Sequence, residues 1–289
     1  MIAGSEITSL RSPRIKAARQ LARRSARQRA RMFLAEGPQA VREALAWCGT
    51  AADACGGDGP GVVSELFVTA PGRSRYGELT ERAAARGVPV QTVSGDVMAE
   101  LAQTVTPQGL LAVCRFVDIP LDQLLGDATL RLVVLLANVR DPGNAGTVLR
   151  TADAAGADGV VFADASVDAY SGKCVRASAG SLFHLPVVVG SPLGRAAGAL
   201  RQAGLQVLAA DGSARRELDE LDARGGLRRP TAWLFGNEAW GLPADLLALA
   251  DEGVAVPIYG RAESLNLSAA AAVCLYASAR AQRPGRAGH

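Results

Sequence analysis

Three polar, glycine-bearing stretches hold the residues with which this chain could do chemistry. The first is Asn138-Val-Arg-Asp-Pro-Gly-Asn-Ala-Gly146, a loop leading into a helix over Thr147 to Ala155 that carries Arg150. Arg150 falls one helical turn past Gly146, so both can face one side. Together with Asn144 they lie at a helix start, where free backbone amides favour an anion such as a phosphate. The second is Leu234-Phe-Gly-Asn-Glu-Ala-Trp-Gly-Leu-Pro243. Here Gly236 permits close backbone approach, and Glu238 could act as acid/base, helix cap or arginine partner. Trp240 could be a stacking surface, with a core position the plainer reading. The third runs from Val254 through Tyr259, Gly260 and Arg261 into Ser264-Leu-Asn-Leu-Ser268 and a small-residue helix. Ser264 is the N-cap candidate of that helix, and the run Ala269 to Ala272 lets another backbone come close.

Each stretch follows an apolar run suited to a buried strand. Strands are expected at Leu130–Ala137, Gly159–Phe162, Leu185–Val189, Gln206–Ala210, Thr231–Phe235 and Val254–Ile258, with helices near Leu193–Ala203 and Pro243–Ala250. Fully apolar strands alternating with helices imply a parallel sheet covered on both faces. Ligands of such sheets bind beyond the carboxyl ends of the strands, which is where all three stretches fall. A dinucleotide-dependent oxidoreductase is one alternative, since Asp164 follows the next strand. The glycines, however, are Gly143 and Gly146, and the GxGxxG pattern is absent. His184, Cys174 and Cys274 read as structural residues.

Ahead of this domain lies a smaller α/β unit. Its expected elements are a strand at Met32, a helix over Gln39–Trp47, a strand over Val62–Thr69, a helix over Tyr76–Arg86, a strand over Val88–Val93, a short helix from Val97 and a strand over Gly109–Phe116. A mobile Gly- and Ala-rich loop is expected from Thr50 to Gly61. The domains are set at 1–117 and 130–289, with a punctuated linker over 118–129. The segment Arg11–Arg31 carries nine Lys or Arg and no acid. Pro13 suits a helix start, and Ile15, Ala18, Leu21 and Ala22 form a thin apolar stripe. Arg14, Lys16, Arg19, Arg23, Arg24 and Arg27 are then candidates for a phosphate-binding, RNA-contacting face.

Bulk properties narrow the class. The 289 residues fit two domains. Five scattered cysteines without a CxxC, and only two histidines, argue against a zinc site or a disulfide framework. No signal peptide or membrane-length apolar run is visible. A soluble, cytoplasmic protein without metal or membrane partner is expected.

Taken together, the three stretches resemble the three motifs of the SpoU (TrmH-type) RNA ribose 2′-O-methyltransferases. Asn144–Asp153 is similar to the first, Leu234–Leu242 to the second, and Ile258 with Ser264–Ser268 to the third. The first 117 residues look like the ribosomal-protein-like RNA-binding domain that precedes the catalytic domain in many rRNA-modifying members. The resemblance implies a SPOUT α/β fold with a deep trefoil knot, a homodimer, and S-adenosylmethionine (S-adenosyl-L-methionine) as cofactor. It implies methylation of a ribose 2′-hydroxyl in RNA, rRNA ahead of tRNA, with a non-catalytic RNA-binding protein on the same scaffold as the other class. By position it implies catalytic roles for Arg150, Asn144, Glu238, Ser264 and Asn266. Backbone groups of Leu234, Gly236, Ile258 and Leu267, together with Ser264, would contact the cofactor.

Overall fold

The computed structural model describes residues 6–47, 61–164, 166–237 and 241–283. The chain begins with α1 (Pro13–Gln20), α2 (Arg24–Ala30), β1 (Met32–Glu36), α3 (Pro38–Ala46) and β2 (Val63–Val68). It continues with α4 (Ala70–Arg75), α5 (Gly77–Ala85), β3 (Val90–Thr92), α6 (Gly95–Leu101), β4 (Leu110–Arg115) and α7 (Leu121–Leu125). Next come β5 (Leu132–Leu136), α8 (Pro142–Ala155), β6 (Gly159–Ala163), α9 (Gly172–Ala177), β7 (Val187–Ser191), α10 (Leu193–Gln202) and β8 (Gln206–Ala210). The last elements are β9 (Arg216–Glu217), α11 (Leu218–Ala223), β10 (Thr231–Phe235), α12 (Ala244–Leu247), β11 (Glu252–Ala255) and α13 (Leu267–Gln282).

Two compact units result: Met1–Val117 with Tyr170–His184, and Asp118–Ala169 with Leu185–His289. The first unit is built on a mixed sheet ordered β1-β4-β2-β3, in which β4 runs antiparallel to both neighbours and β2–β3 is parallel. Ile15, Ala18 and Leu21 of the basic segment are buried with Phe67, Val97, Met98 and Leu111. Ala22, expected in the same stripe, is exposed, because α1 ends at Gln20, with Leu21 as its C-cap, and a second helix starts at Arg24.

The contribution of Tyr170–His184 to the first unit was not legible from sequence. Tyr170 stacks on Phe116 with ring centroids 3.7 Å apart, lies 4.8 Å from Phe33, and its hydroxyl accepts a 2.9 Å bond from the Val117 amide. Arg176 on α9 pairs with Glu36 at 3.1 Å, and His184 meets Glu43 at 3.2 Å.

The second unit carries a seven-stranded sheet ordered β7-β6-β5-β10-β8-β11-β9, parallel at every pairing. Its central strands β5, β6 and β10 are buried along their whole length, as continuous apolar runs demand. Trp233 is fully buried, and its indole N–H donates a 2.8 Å bond to the buried Ser278 hydroxyl, fixing α13 on β10. The expected linker is not a free connection: α7 forms within it, and Leu121 and Leu124 join the core of this unit. Among the described residues, no helix is long and apolar enough to cross a membrane. Most of the expected 50–61 loop, and Cys48 and Cys55, lie outside the described residues.

Candidate functional site

The first motif is helical sooner than its glycines suggested. Helix α8 begins at Pro142, capped by Asp141, whose carboxylate accepts bonds from the Gly143 and Asn144 amides. Proline at the first helical position loses nothing, and a side-chain cap satisfies orphan donors. Residues 142–146 therefore belong to the helix and not to a loop. Arg150 stands two turns further along, exposed to solvent.

The third motif departs from expectation in two ways. Strand β11 stops at Ala255, short of the expected Ile258, in keeping with Pro257, which has no N–H for a ladder. The cap of α13 is Asn266, not Ser264. Its side-chain oxygen accepts from the Ser268 amide at 2.9 Å and from the Ser268 hydroxyl at 2.6 Å. The Asn266 amide group in turn donates to Asn144 Oδ1 at 3.2 Å. One side chain thus closes the start of α13 and ties it to the start of α8.

The second motif is closed by a backbone bridge. Asn237 and Gly241 exchange two 2.9 Å bonds, and Gly241 adopts a left-handed φ of +63°. A Cβ on Gly236 would meet the Gly241 carbonyl oxygen at 2.5 Å, so only glycine lets the loop fold back there. Asn237 also donates to the Asn138 carbonyl at 3.0 Å, joining the loops that follow β5 and β10. Glu238 and Trp240 lie outside the described residues.

Beyond the ends of β8, β10 and β11 these loops enclose a cavity of about 440 Å³, within the usual range for ligand sites. Gly236, Ile258, Ser264 and Leu267 line it, as does Phe235. Leu234 is not in the lining, and its side chain is fully buried in the core of the sheet, which leaves only its backbone to meet a ligand. Arg150, Asn144 and Asn266 stand outside the lining, the last two joined by their hydrogen bond.

Sequence reasoning missed the carboxylates Asp211, Glu217 and Glu263, which line the cavity with Arg215 as their cationic neighbour. The first two belong to the stretch after β8, where an acid after an apolar strand was the one available signal. Tyr259, 87% exposed, donates a 2.8 Å bond to Asp219. That bond, and then the charge of the same carboxylate, raises its pKa above the ordinary tyrosine value. Burial pushes the Cys274 thiol up to about 12, so it stays protonated and packed.

The basic face of the first unit is partly neutralised. Arg14 pairs with Glu65 at 2.6 Å and Arg19 with Glu100 at 2.8 Å, while Lys16, Arg23 and Arg24 are exposed. Arg27 must be withdrawn from the RNA-contacting set. It is 4% exposed and donates to the Leu21 and Ala22 carbonyls at 2.8 Å, closing the end of α1. Among the described residues, no cluster of three or more His, Cys, Asp or Glu side chains could hold a metal ion.

A parallel α/β sheet with one cavity at its strand ends, walled by three polar loops, defines a ligand-binding α/β domain of the doubly covered class. The profile of the SpoU rRNA Methylase family matches residues 131–276, and that of the MRM3-like substrate binding domain matches residues 12–112. The chain belongs to the SpoU rRNA methylase family. It is 35% identical over 274 residues to the 23S rRNA (guanosine(2553)-2′-O)-methyltransferase RlmP of Bacillus subtilis (strain 168), covering 94% of this chain and 98% of that one. The AdoMet-bound rRNA methyltransferase of Sinorhizobium meliloti superposes with a TM-score of 0.76 at 31% identity, covering 96% of this chain and 97% of that one. The SpoU methyltransferase AviRb of Streptomyces viridochromogenes, in complex with AdoMet, gives a TM-score of 0.76 at 28% identity, covering 93% of this chain and 98% of that one.

Proposed function

We propose that this chain transfers a methyl group from S-adenosylmethionine to a ribose 2′-hydroxyl of ribosomal RNA. The observation that carries the reading is convergence. Residues from all three motifs, far apart in sequence, meet at the strand ends, with Gly236, Ile258, Ser264 and Leu267 around one cavity and Asn144 bonded to Asn266. The named 23S rRNA methyltransferase among its relatives, matched nearly end to end, favours rRNA over tRNA as substrate.

The cavity fits the cofactor by its chemistry. Phe235, Val254 and Leu267 offer apolar surface to a purine, and Gly236 and Ile258 line the same space. Asp211, Glu217 and Glu263 suit a ligand that carries positive charge and ribose hydroxyls. When bound, the cofactor supplies an electrophilic methyl group on its sulfonium.

The chain's own residues must make a weakly nucleophilic hydroxyl attack. Arg150 presents up to five N–H donors and no acceptor, so it is suited to holding an oxygen and poorly suited to taking its proton. Its role is to engage the substrate phosphate and the 2′-oxygen together, holding the oxygen in line and stabilising the negative charge that develops there, while the hydroxyl proton passes to solvent water and the S–C bond breaks to leave a neutral thioether. Asn266 keeps the third motif against α8 through Asn144. Glu238 would hold the second loop. The exposed Lys16, Arg23 and Arg24 contribute a salt-sensitive hold on RNA.

The homodimer and the trefoil knot implied by the family belong to this proposal. Val273 and Tyr276, 43% and 53% exposed on α13, offer an apolar face to a second copy. The packing of α13 over α8 and the central strand β10 suits a chain end tucked into the domain. A cytoplasmic location follows from the substrate. Arg150→Ala should leave the thermal shift with S-adenosylmethionine intact and abolish methyl transfer to rRNA. Turnover at the unmodified level would overturn the assignment.

A further inference from the structure

The first unit contains a groove of about 610 Å³ lined by none of the residues assigned to the methyl-transfer step. It lies where α1 and α2 cross the sheet of that unit. Its lining is largely apolar, with the short side chains of Ala17, Ala18 and Ala26 beside Leu21. Arg14 and Arg29 stand on its rim, within the acid-free basic segment.

One wall is unusual. The β2–β4 ladder shifts register between Val63 and Glu65, and a bulge of this kind re-aims side chains. Ser64 and Glu65, adjacent in sequence, consequently both line the groove. The Ser64 hydroxyl oxygen is the one buried side-chain nitrogen or oxygen among the described residues that lacks a hydrogen-bond partner. Such a group costs stability unless something else satisfies it. Glu65 is held by Arg14 but keeps acceptor capacity on its second oxygen.

We propose that this groove takes an unpaired nucleobase of the RNA substrate, an inference that rests on the RNA-methyltransferase reading above. RNA is read mainly at splayed bases, which stack on flat apolar or guanidinium surfaces and are recognised along their Watson–Crick edges. The small-residue lining accepts a ring face, and Arg14 and Arg29 meet the flanking phosphates. One χ1 step brings the Ser64 hydroxyl into the groove as a donor, while Glu65 accepts. Guanine matches this pair, with its adjacent ring and amino N–H groups towards Glu65 and its carbonyl towards Ser64. Ser64 and Glu65 are specificity-determining residues for the substrate, remote from the reacting atoms.

The test uses the full chain and three fluorescent U-rich RNA 12-mers, carrying at one central position a guanosine, a uridine or an abasic ribose. The guanosine oligonucleotide should bind about tenfold more tightly than the abasic one, a difference of one good polar contact. Ser64→Ala should remove most of that preference while its melting temperature stays level or rises, because an unsatisfied hydroxyl has been deleted. Ala17→Leu, at an exposed helical position, should fill the groove and remove the preference without unfolding the protein. Equal affinity for the three oligonucleotides, with the usual fall in binding at high salt, would overturn the groove proposal and leave the RNA-binding reading standing. No salt-dependent binding of any of them would overturn both.

Discussion

The second unit's loops and the first unit's basic segment are both polar, and both looked functional as strings of residues. In the second unit, proximity follows from topology. Every strand pairing is parallel, so the loops after β8, β10 and β11, on neighbouring strands, emerge on one side, where they line one cavity. In the first unit, the fate of each cation depends on side chains that sequence order does not bring near. Glu65 takes Arg14, Glu100 takes Arg19, and the end of α1 takes Arg27. Strand order therefore says on which side such loops gather, though not which of their residues line the cavity, whereas a charge run must be assigned residue by residue.

The largest expected effect tests the topological half of this contrast. Arg150→Ala should lower kcat by at least 10²–10³-fold, the scale of losing a group that stabilises a developing oxyanion, as read by methyl incorporation into rRNA. Gly236→Ala comes next. The added Cβ meets the Gly241 carbonyl at 2.5 Å, so the second loop must reorganise, at a cost of about 1–3 kcal/mol. Calorimetry with S-adenosylmethionine should show weaker binding, and an unchanged Kd would break the link between this turn and the cavity.

The charge-run half is tested by a pair of variants. Arg27→Ala should cost about 1–3 kcal/mol of stability by stranding the Leu21 and Ala22 carbonyls, without altering the salt dependence of RNA binding. The double variant Arg23→Ala, Arg24→Ala should keep its melting temperature while the slope of log K against log salt falls by about 1.4 on the single-strand scale. If Arg27→Ala changed the slope, the division between buried and exposed cations would fail.

The smallest effect concerns Tyr259. Its phenol is held protonated above the ordinary value by Asp219. The stabilisation is present below the unfolded tyrosine pKa and is lost as pH rises through the raised folded one. Ultraviolet titration should show one tyrosine ionising late, moving back towards the ordinary value in Asp219→Asn.

Much of the fold was legible for a simple reason. Buried parallel strands are continuous apolar runs, and Gln206–Ala210 and Thr231–Phe235 were bounded by polarity alone. What escaped the sequence depended on geometry. Gly143 and Gly146 read as loop residues because the Asp141 cap that draws them into α8 competes with their poor helix propensity. Ser264 and Asn266 are equally plausible caps, and the partnership with Asn144 that accompanies the choice lies 122 residues away. Ser64 gave no signal at all, because the bulge that re-aims it exists only in the paired sheet.

The return of Tyr170–His184 to the first unit constrains how this gene can be recombined. A chimaera that exchanges residues 1–117 alone would set a foreign Phe33, Phe116 and Glu36 against the resident Tyr170 and Arg176, which the present chain joins by ring stacking and an ion pair. Two crossovers flanking 170–184 would have to accompany the first. Inheritance of the substrate-binding unit is therefore tied to a fifteen-residue passage encoded inside the methylase region.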